Sequence, residues 1–566
     1  MATAVALSGL CGVPAQAQDI SQIAKSDPLI ISGAVGTNNT FYHSTGYSYA
    51  SPLQSSVWAN LNISVYGYSM PFSLYFTNSD WNFSYPQFSF RFSPTYKNWH
   101  MFIGQGSLGF SNYVMSTSVN GFGLEYSGKK LRFGVFYGRL RSAINDDPTD
   151  PDARRPQYKR MGWGFKVGYG NSRNYIDLYF LRAYDCPSSI DEHWWASVAP
   201  QSNLVVGLRG SSQITKWLSL TANVATSAFT TDSRAPKVEN GDVTRFDKIF
   251  DAKYSSLMRF AGDANVNVHL KNFNTSVFYR IVQPNYLSLG TNYMSNNYHS
   301  LGINFSTRLL RKISLSGTFS AQSDNLSDEQ LYTTRGYVYS ANAGTRFGNV
   351  NVNLRYSGYL QNQSDGTAKV EEETRVHRIM HSVGASASYN FQTDVLSHTL
   401  SASVGYNTNK DLNKFATGKS DVETVSGGLN YSVLVEPWHT DFSATFNHQQ
   451  SIGYNRRYTS DILALTASRT FFEDKNPLSV SATITTCYNK LSKMRENMSL
   501  GGDVQASWTL KQKHSFSLSA GIARSNDTNI TSNEDMYNVT ETNVGFSYTY
   551  TFTLFQIKRK AEKEKK

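Results

Sequence analysis

The sequence predicts an all-β protein that forms a closed antiparallel up-and-down transmembrane β-barrel of about 26 strands (roughly 24–28), with no plug domain. Three observations predict it. Polar and apolar residues alternate along many segments, tight and long connections alternate between those segments, and aromatic residues are abundant although the overall hydrophobicity is low. Strands that have one apolar and one polar face account for all three.

The composition argues against ordinary soluble domains. Of the 566 residues, 14% are aromatic, including 35 Tyr and 33 Phe, while the hydrophobic fraction is 40% and the mean hydropathy is −0.40. A soluble chain of this length usually forms two or more domains, each built around an apolar core. Beyond the N-terminus no apolar run reaches about 18 residues, so any membrane span has to consist of strands closed into a barrel.

The termini predict export and a division of the chain into four parts. A small, apolar run from Ala2 to Val13 is followed by Ala15-Gln16-Ala17, which fits the cleavage site of a signal peptide, although a basic N-terminal region is missing. We therefore predict a signal peptide at 1–17, a short periplasmic segment at 18–27, the transmembrane barrel at 28–557 and a basic periplasmic tail at 558–566.

Alternation with a period of two is clearest at residues 313–321, where Ile313, Leu315 and Phe319 share one face and Ser and Thr occupy the other. The same pattern recurs at 218–224, 350–356, 400–406, 478–484 and 516–522. A tilted strand needs about nine to eleven residues to cross a bilayer. Because a Lys or Arg facing lipid at mid-bilayer costs about 2–4 kcal/mol, we expect the nearly uncharged apolar faces to meet lipid and the polar faces to line a wet lumen.

The connections sort into two classes that alternate along the chain. Tight turns, rich in Lys and Arg, are predicted at 127–130, 170–174, 270–273, 310–312, 347–349 and 510–513. Long polar segments, richer in Asp and Glu, are predicted at 142–157, 184–201, 230–254, 361–374, 408–419 and 525–536. An even number of strands then returns both chain ends to the periplasmic side. The strands between Asn78 and Trp99 are the least regular, because Pro86 and Pro94 interrupt them.

The last predicted strand contains Asn543-Val-Gly545-Phe-Ser-Tyr548-Thr-Tyr550. This segment resembles the C-terminal β-signal of large outer-membrane β-barrel proteins of Gram-negative bacteria, although here the chain continues past the final aromatic residue. The resemblance implies that Asn543, Gly545, Tyr548 and Tyr550 are an assembly signal for the outer-membrane assembly machinery. It also implies that the exported protein resides in the cell outer membrane, in contact with the lipid bilayer and lipopolysaccharide.

The predicted function is a channel or porin-like pore for polar cargo. Two alternatives stay open: the barrel component of a protein or lipid translocation or assembly complex with a periplasmic or surface lipoprotein partner, and a surface adhesin or structural barrel. Alternation puts Arg132, Arg355 and Asp441 on the polar face, as lumen-facing candidates. Inward-folded loops are expected to narrow the lumen, and Ala228–Tyr254 and Ser142–Gln157 are the longest and most charged candidates.

No enzyme, cofactor or metal site is predicted. His377 and His381 share a strand face after an acidic run at 371–373, but an acidic loop leading into a strand explains them more simply than a metal site. The net charge of +11 is partly due to the C-terminal tail, and no nucleic-acid module is recognisable, so no nucleic-acid partner is predicted. Cys186 and Cys487 are expected to be unrelated thiols, and the Gly-x-Gly pairs are expected to mark bends or bulges.

Overall fold

The computed structural model describes residues 27–46, 52–66, 68–78, 88–147, 149, 153–238, 250–369, 371–416, 420–453, 455–472, 476–532 and 534–557. The predicted signal peptide, nearly all of the short segment after it, and the C-terminal tail therefore lie outside the described residues. The described strands are β1 (Leu29–Ser44), β2 (Leu53–Val65), β3 (Tyr68–Thr77), β4 (Phe88–Phe92), β5 (Thr95–Tyr96), β6 (Trp99–Gly106), β7 (Val119–Ser127), β8 (Leu131–Arg141), β9 (Arg160–Gly170), β10 (Tyr175–Asp185), β11 (Ser202–Gln213), β12 (Leu218–Thr230), β13 (Ser256–His269), β14 (Phe273–Val282), β15 (Tyr298–Leu309), β16 (Ile313–Asp324), β17 (Tyr332–Phe347), β18 (Val350–Asp365), β19 (His377–Gln392), β20 (Leu396–Asp411), β21 (Val422–Val435), β22 (Thr440–Gly453), β23 (Arg456–Phe471), β24 (Leu478–Leu491), β25 (Arg495–Leu510), β26 (His514–Asn529) and β27 (Glu534–Ile557).

Apart from β4 and β5, each strand pairs antiparallel with its neighbours in sequence, and β1 pairs antiparallel with β27 through sixteen residue pairs, from Leu29–Ile557 to Ser44–Glu541. The sheet is thereby closed. The segments β4 and β5 lie one after the other along β6, through two residue pairs each, so they fill one position in the wall. The wall has 26 strand positions, and the predicted fold class, an all-β closed antiparallel barrel, is confirmed.

Helical structure is minor in the described part of the chain. It includes four 3-10 helices of three residues each, at Pro187–Ser189, Glu192–Trp194, Glu372–Thr374 and Glu436–Trp438. None of the described helices is long and apolar enough to cross a membrane.

The break between β4 and β5 has a simple cause. Pro94 has no backbone N–H to donate to β6, and Ser93 donates instead to the carbonyl of Pro71 on the neighbouring β3 (2.9 Å). The sequence predicts this interruption at Pro94. Pro86, which is predicted to interrupt the same region, lies outside the described residues.

Short turns and long loops occupy opposite ends of the barrel. We call the end at which β1 begins and β27 ends the turn end, and the opposite end the loop end. Along the turn end, the connections from 66–67 through 511–513 have two to six residues, whereas the loop end carries longer segments such as 142–159 and 231–255. The loop predicted at 525–536 is wrong, because β26 and β27 leave only four residues between them, 530–533.

The two faces of the wall differ as the alternation predicts. The outer face carries exposed apolar side chains, of which Val224, Leu354, Val404, Leu465 and Ile522 are examples. With strands about 4.8 Å apart and tilted by about 40°, 26 strands have a circumference of about 160 Å, or a diameter of about 50 Å if the cross-section is round. That width greatly exceeds what side chains alone fill.

Candidate functional site: the lumenal shelf and its charged wall

Two loop-end segments, residues 107–118 between β6 and β7 and residues 283–297 between β14 and β15, pack against the polar face of the wall. The first segment alone reaches Lys166 on β9, Asn223 on β12 and Asp263 on β13. A twelve-residue segment can contact strands so far apart only from the concave side of the sheet. The polar face is therefore the lumenal face, and we call the two segments together the lumenal shelf.

The two segments of the shelf bind each other. Met115 and Gly290 form a parallel β-bridge, and the Gly290 carbonyl accepts hydrogen bonds from the amides of Ser116 (2.9 Å) and Thr117 (3.1 Å). The Tyr286 hydroxyl donates to the carbonyl of Tyr113 (2.8 Å), and the Ser288 hydroxyl donates to that of Val114 (2.6 Å). These bonds satisfy backbone groups that would otherwise be buried without partners, so the segments form one ordered unit.

Asn203 on β11 ties the shelf to the wall. Its side chain is fully buried. Its amide oxygen accepts from the backbone N–H of Leu289 (3.0 Å), and its amide nitrogen donates to the Ser227 hydroxyl (2.7 Å) and to the carbonyl of Ala228 (2.9 Å). The Ser227 hydroxyl in turn donates to the carbonyl of Leu287 (2.6 Å). One polar side chain thus joins the second segment of the shelf to β11 and β12.

An apolar cluster fills the space between shelf and wall. Phe110 packs against Phe136 of β8 and Tyr179 of β10, with 5.5 Å between ring centroids in both cases. Val114 and Leu181 are fully buried in the same cluster. Burying a large apolar side chain stabilises by about 1.5–3 kcal/mol, so this cluster holds the shelf more firmly than its polar contacts alone would.

Two shelf tyrosines keep their protons. Burial, followed by the facing Asp263 carboxylate, raises the pKa of the Tyr113 phenol, and burial raises the pKa of Tyr286. Tyr113 donates to an Asp263 carboxylate oxygen at 2.9 Å. Both phenols therefore remain hydrogen-bond donors at any physiological pH.

Beneath the shelf, charges of opposite sign alternate around the lumenal wall. Following the strand register from β8 to β14, one row of directly opposed residues runs Arg132, Gly168, Asp177, Arg209, Asn223, Asp263, Arg280. We call this row the charge belt. The shelf docks on it, because Ser111 donates to the side-chain oxygen of Asn223 (2.8 Å) and Tyr113 donates to Asp263.

A glycine between two charged residues lets the first pair of the belt form. Arg132 on β8 reaches across Gly168 on β9 and donates two hydrogen bonds to one carboxylate oxygen of Asp177 on β10, at 3.0 and 2.8 Å. A Cβ added at Gly168 would lie 1.8 Å from that oxygen. The same arrangement recurs one strand earlier, where Lys166 reaches across Gly134 to pair with Glu125.

We expect Gly168→Ala to displace Asp177 and weaken its pair with Arg132, because no room exists for a methyl group at Gly168. Leaving largely buried charged partners poorly bonded costs about 1–3 kcal/mol of unfolding free energy. Denaturant unfolding in detergent, followed by tryptophan fluorescence, measures the loss. Gly384→Ala is the matched control: it is also a lumenal strand glycine, but an added Cβ lies 3.8 Å from its nearest neighbour, the Val404 carbonyl oxygen. Equal effects of the two substitutions would contradict this account.

The opposite part of the lumenal wall is nearly uncharged. Between their ends, β19 to β24 present mostly Ser, Thr, Asn, Gln and Gly to the lumen, as in Ser382, Ser403, Asn430, Thr445 and Thr483. Many of these side chains bond across strands, for example Asn430 to Thr445 (2.7 Å). The lumen is therefore divided between a charged, shelf-covered part and an open part lined by neutral hydrogen-bonding groups.

The three lumen-facing candidates occupy different places. Arg132 is in the charge belt. Arg355, on β18, follows the register onto the lumenal face between Asn342 and Gly384, beside the neutral wall. Asp441 is the second residue of β22, at the turn end and opposite Leu434. The structure does not bring these three residues together into one site.

The loops expected to narrow the lumen are not the ones that form the shelf. In Ala228–Tyr254, the described residue Arg234 donates to the carbonyl of Trp195 in the neighbouring loop (2.9 Å), and residues 239–249 lie outside the described part. In Ser142–Gln157, Asn145 donates to Asp191 of that same neighbouring loop (3.0 Å). Within the described residues, both loops therefore bind the loop at 186–201, at the loop end of the barrel.

The Gly-x-Gly pairs have a role that the sequence reading missed. In the pair Gly104-x-Gly106, Gly104 has a φ of +87°, as expected of a glycine at a bend or bulge. Gly123 and Gly164 instead lie in strand interiors beneath the large side chains Phe102 and Phe136, whose rings would lie 2.1 and 2.8 Å from an added Cβ. Glycine on the lumenal face of β7 to β9 lets bulky neighbours lie flat under the shelf. The alternation of Gly with Phe, Lys and Arg in these strands is the signal that could have located the shelf.

The histidines and cysteines considered in the sequence do not form a common site among the described residues. His381 bonds to the Tyr356 hydroxyl (3.0 Å), and no group of three or more metal-ligating side chains occurs among the described residues. Cys186 and Cys487 are both free thiols.

The residues of the predicted assembly signal lie on β27, between β26 and β1. Tyr548 packs its ring on Phe516 at 4.8 Å between centroids and bonds to His514 (2.8 Å). Tyr550 stacks on the same histidine. Asn543 and Gly545 are opposed to Tyr42 and Thr40 across the closing seam.

Comparisons with known proteins found likeness in structure only. No protein-family model matches the chain, and no curated protein matches it in sequence. Among solved structures, the P pilus usher (PapC) translocation pore is 11% identical with a TM-score of 0.35, covering 93% of this chain and 100% of that one. Pseudomonas aeruginosa OccK9 (OpdG) is 14% identical with a TM-score of 0.28, covering 67% and 97%. Acinetobacter baumannii OccAB2 is 12% identical with a TM-score of 0.28, covering 67% and 96%.

Proposed function

We propose that this chain is an outer-membrane channel that passes polar solutes, with the lumenal shelf narrowing a lumen that is otherwise lined by neutral hydrogen-bonding groups. The observation that supports this proposal is the uneven lining of the lumen. A shelf covers the charged wall from β6 to β14, whereas Ser, Thr and Asn side chains line β19 to β24. Hydroxyl and amide side chains can replace part of the hydration of a polar solute without binding it tightly, which favours passage over capture.

The same proposal includes the setting of the channel. The exposed apolar outer face favours insertion in a bilayer, after export directed by the predicted signal peptide at 1–17. In the outer membrane the loop end would meet lipopolysaccharide and the turn end would face the periplasm. Assembly through Asn543, Gly545, Tyr548 and Tyr550 belongs to the proposal as well, and so does the basic periplasmic tail at 558–566.

The translocation alternative is favoured by one observation, the width of about 50 Å expected for 26 strands, which exceeds what small solutes need. In that case a periplasmic or surface lipoprotein would be a working partner. A lateral exit through the closing seam is disfavoured, because β1 and β27 are paired along all sixteen residues of β1.

Liposome swelling tests the proposed function directly. Proteoliposomes that contain the purified chain should admit neutral oligosaccharides at rates that fall as the solute grows, and planar bilayers should show ion conductance from the chain alone. Heat-denatured chain, added at the same ratio, is the control. A correctly folded chain that admits no solute and passes no current would overturn the channel and favour the adhesin or structural barrel.

We predict that the effect of Arg355 on ion selectivity depends strongly on salt. The Debye length is about 10 Å at 0.1 M and about 30 Å at 0.01 M, against a lumen about 50 Å wide. Arg355→Glu should therefore shift the reversal potential toward cation preference at 0.01 M and have little effect at 0.1 M. Asp441→Lys should act in the opposite direction. An equally large shift at both salt concentrations would show that the ion path is much narrower than proposed.

A further inference from the structure

Six consecutive connections at the turn end carry positive charge and no negative charge. They are the turns at 97–98, 128–130, 171–174, 214–217, 270–272 and 310–312, which follow one another from β5 to β16. Their cations are Lys97, Lys129, Lys130, Arg173, Lys216, Lys271, Arg311 and Lys312. No Asp or Glu occurs in any of the six. We call this set the cationic arc.

The charges of the cationic arc are largely unused within the fold, the exception being Lys97, whose ammonium lies 5.0 Å from the centroid of the neighbouring Tyr96 ring. All eight side chains are exposed, and within the described part of the chain none forms an ion pair. Other cations of the same strands behave differently, since Arg132 and Lys166 are paired with carboxylates in the lumen. A row of unpaired cations at one rim therefore points to an anionic partner outside the chain.

Exposed apolar side chains stand beside these cations at the turn-end rim. Ile214 and Trp217 flank Lys216, Leu270 precedes Lys271, and Leu310 precedes Arg311. The exposed fractions of Ile214 and Leu310 reach 60% and 85%. A cation next to an exposed apolar group matches the boundary of a bilayer leaflet, where headgroup phosphate and acyl chain are adjacent. An acidic protein partner would match the cations but not these apolar side chains.

The consecutive run of cationic turns is limited to one part of the rim, although the separate turn at 511–513 also carries two lysines, Lys511 and Lys513, and no acid. Farther around, the turn at 348–349 carries no charge, the turn at 393–395 contains Asp394, and the turn at 436–439 contains Glu436. Successive turns are two strands apart, which is about 12 Å along the rim. At that spacing each turn can contact its own lipid headgroup, so the arc can hold a row of lipids instead of a single one.

We propose that the cationic arc binds anionic phospholipids in the leaflet at the turn end and so surrounds the β5 to β16 side of the barrel with a negatively charged lipid row. The inference rests on the proposed placement of the chain in a bilayer. The ligand chemistry is a phosphate diester with attached acyl chains, as in phosphatidylglycerol. Free phosphate carries the same negative charge but has no acyl chains to contact the apolar side chains.

The test measures the preference of the barrel for spin-labelled phosphatidylglycerol over spin-labelled phosphatidylethanolamine in reconstituted bilayers, by electron paramagnetic resonance of the lipid held at the protein surface. The arc variant carries K97Q, K130Q, R173Q, K216Q, K271Q and K312Q. The control variant removes six exposed loop-end cations instead, with R155Q, K159Q, K369Q, K414Q, R456Q and K493Q. Both variants change the net charge by the same amount.

We expect the unmodified chain to prefer phosphatidylglycerol by about fivefold, since each basic residue near a lipid surface contributes about that factor to one headgroup. The preference should fall markedly in the arc variant, which retains only Lys129 and Arg311 of the arc, persist in the control variant, and weaken as salt is raised. Equal binding of both lipids by the unmodified chain, or an unchanged preference in the arc variant, would overturn the inference. Absence of any immobilised lipid would instead show that the chain is not in the bilayer, and would contradict the proposed function.

Discussion

Replacing both segments of the lumenal shelf, 107–118 and 283–297, with short Gly-Ser linkers is expected to raise the single-channel conductance by about one third. The shelf covers nine of the wall strands, β6 to β14, in a layer about 10 Å thick. In a lumen about 40 Å wide after side chains are subtracted, such a layer occupies roughly a quarter of the cross-section. Planar-bilayer recordings of the two proteins at the same salt concentration measure the ratio.

The control for this experiment shortens another loop of the same end, residues 366–376 between β18 and β19, whose described residues bond to the loops on either side of it. Its conductance should equal that of the unmodified chain. A rise of many fold after shelf removal would mean that the shelf closes the lumen and does not merely narrow it. An unchanged conductance would mean that the ion path lies elsewhere, and would remove the shelf from the proposed function.

Tyr286→Ala is expected to loosen the shelf without unfolding the barrel. The side chain is fully buried among shelf and wall residues, and truncating a buried aromatic residue costs about 3–5 kcal/mol. The loss falls on the docking of the shelf, because Tyr286 lies outside the strands. We expect faster hydrogen exchange across 107–118 and 283–297, and a noisier open-channel current as the shelf moves in and out of place.

Two control substitutions separate the contribution of the Tyr286 ring from that of its hydroxyl and from a general effect of losing a lumenal tyrosine. Tyr286→Phe keeps the ring and loses only the hydrogen bond to the Tyr113 carbonyl, so a cost of about 1 kcal/mol and little added noise are expected. Tyr359→Ala removes a lumenal tyrosine of β18, away from the shelf, and should leave shelf exchange unchanged. If Tyr286→Ala exchanges as slowly as the unmodified chain, the shelf is held by its wall contacts through Asn203 and Phe110 and not by its own core.

Alternation along the chain predicts the barrel because every strand that meets lipid on one side and water on the other must show it. The prediction of strand bounds fails where the two faces of a strand no longer differ in polarity. At 525–536 the strand end has Asn526 and Arg524 on the outer face and Asp527 on the lumenal face, so both faces are polar and the segment reads as a loop. Strand ends that project past the apolar band therefore cannot be recognised by alternation.

The lumenal shelf could not be predicted from the sequence, and the reason is different. Residues 107–118 and 283–297 are far apart in the chain, and their contacts depend on the curvature that brings β6 and β14 to the same side of the lumen. Local patterns contain no information on that closure. The local part of the pattern is the set of lumenal glycines Gly123, Gly134 and Gly168, which make room for neighbouring side chains. The positions of these glycines can be interpreted only once the strand register is known.

The sparse pairing of β6 with its preceding neighbours affects how the barrel would open. Within the described residues, β6 meets β4 and β5 through four residue pairs in total, whereas β1 and β27 share sixteen. In the proposed bilayer setting, backbone hydrogen bonds hold neighbouring strands together, so local opening of the wall should begin beside β6 and not where the two ends of the chain meet. The joint between the two ends of the chain is then among the most extensively paired in the wall, and the wall should open first along an internal strand, β6.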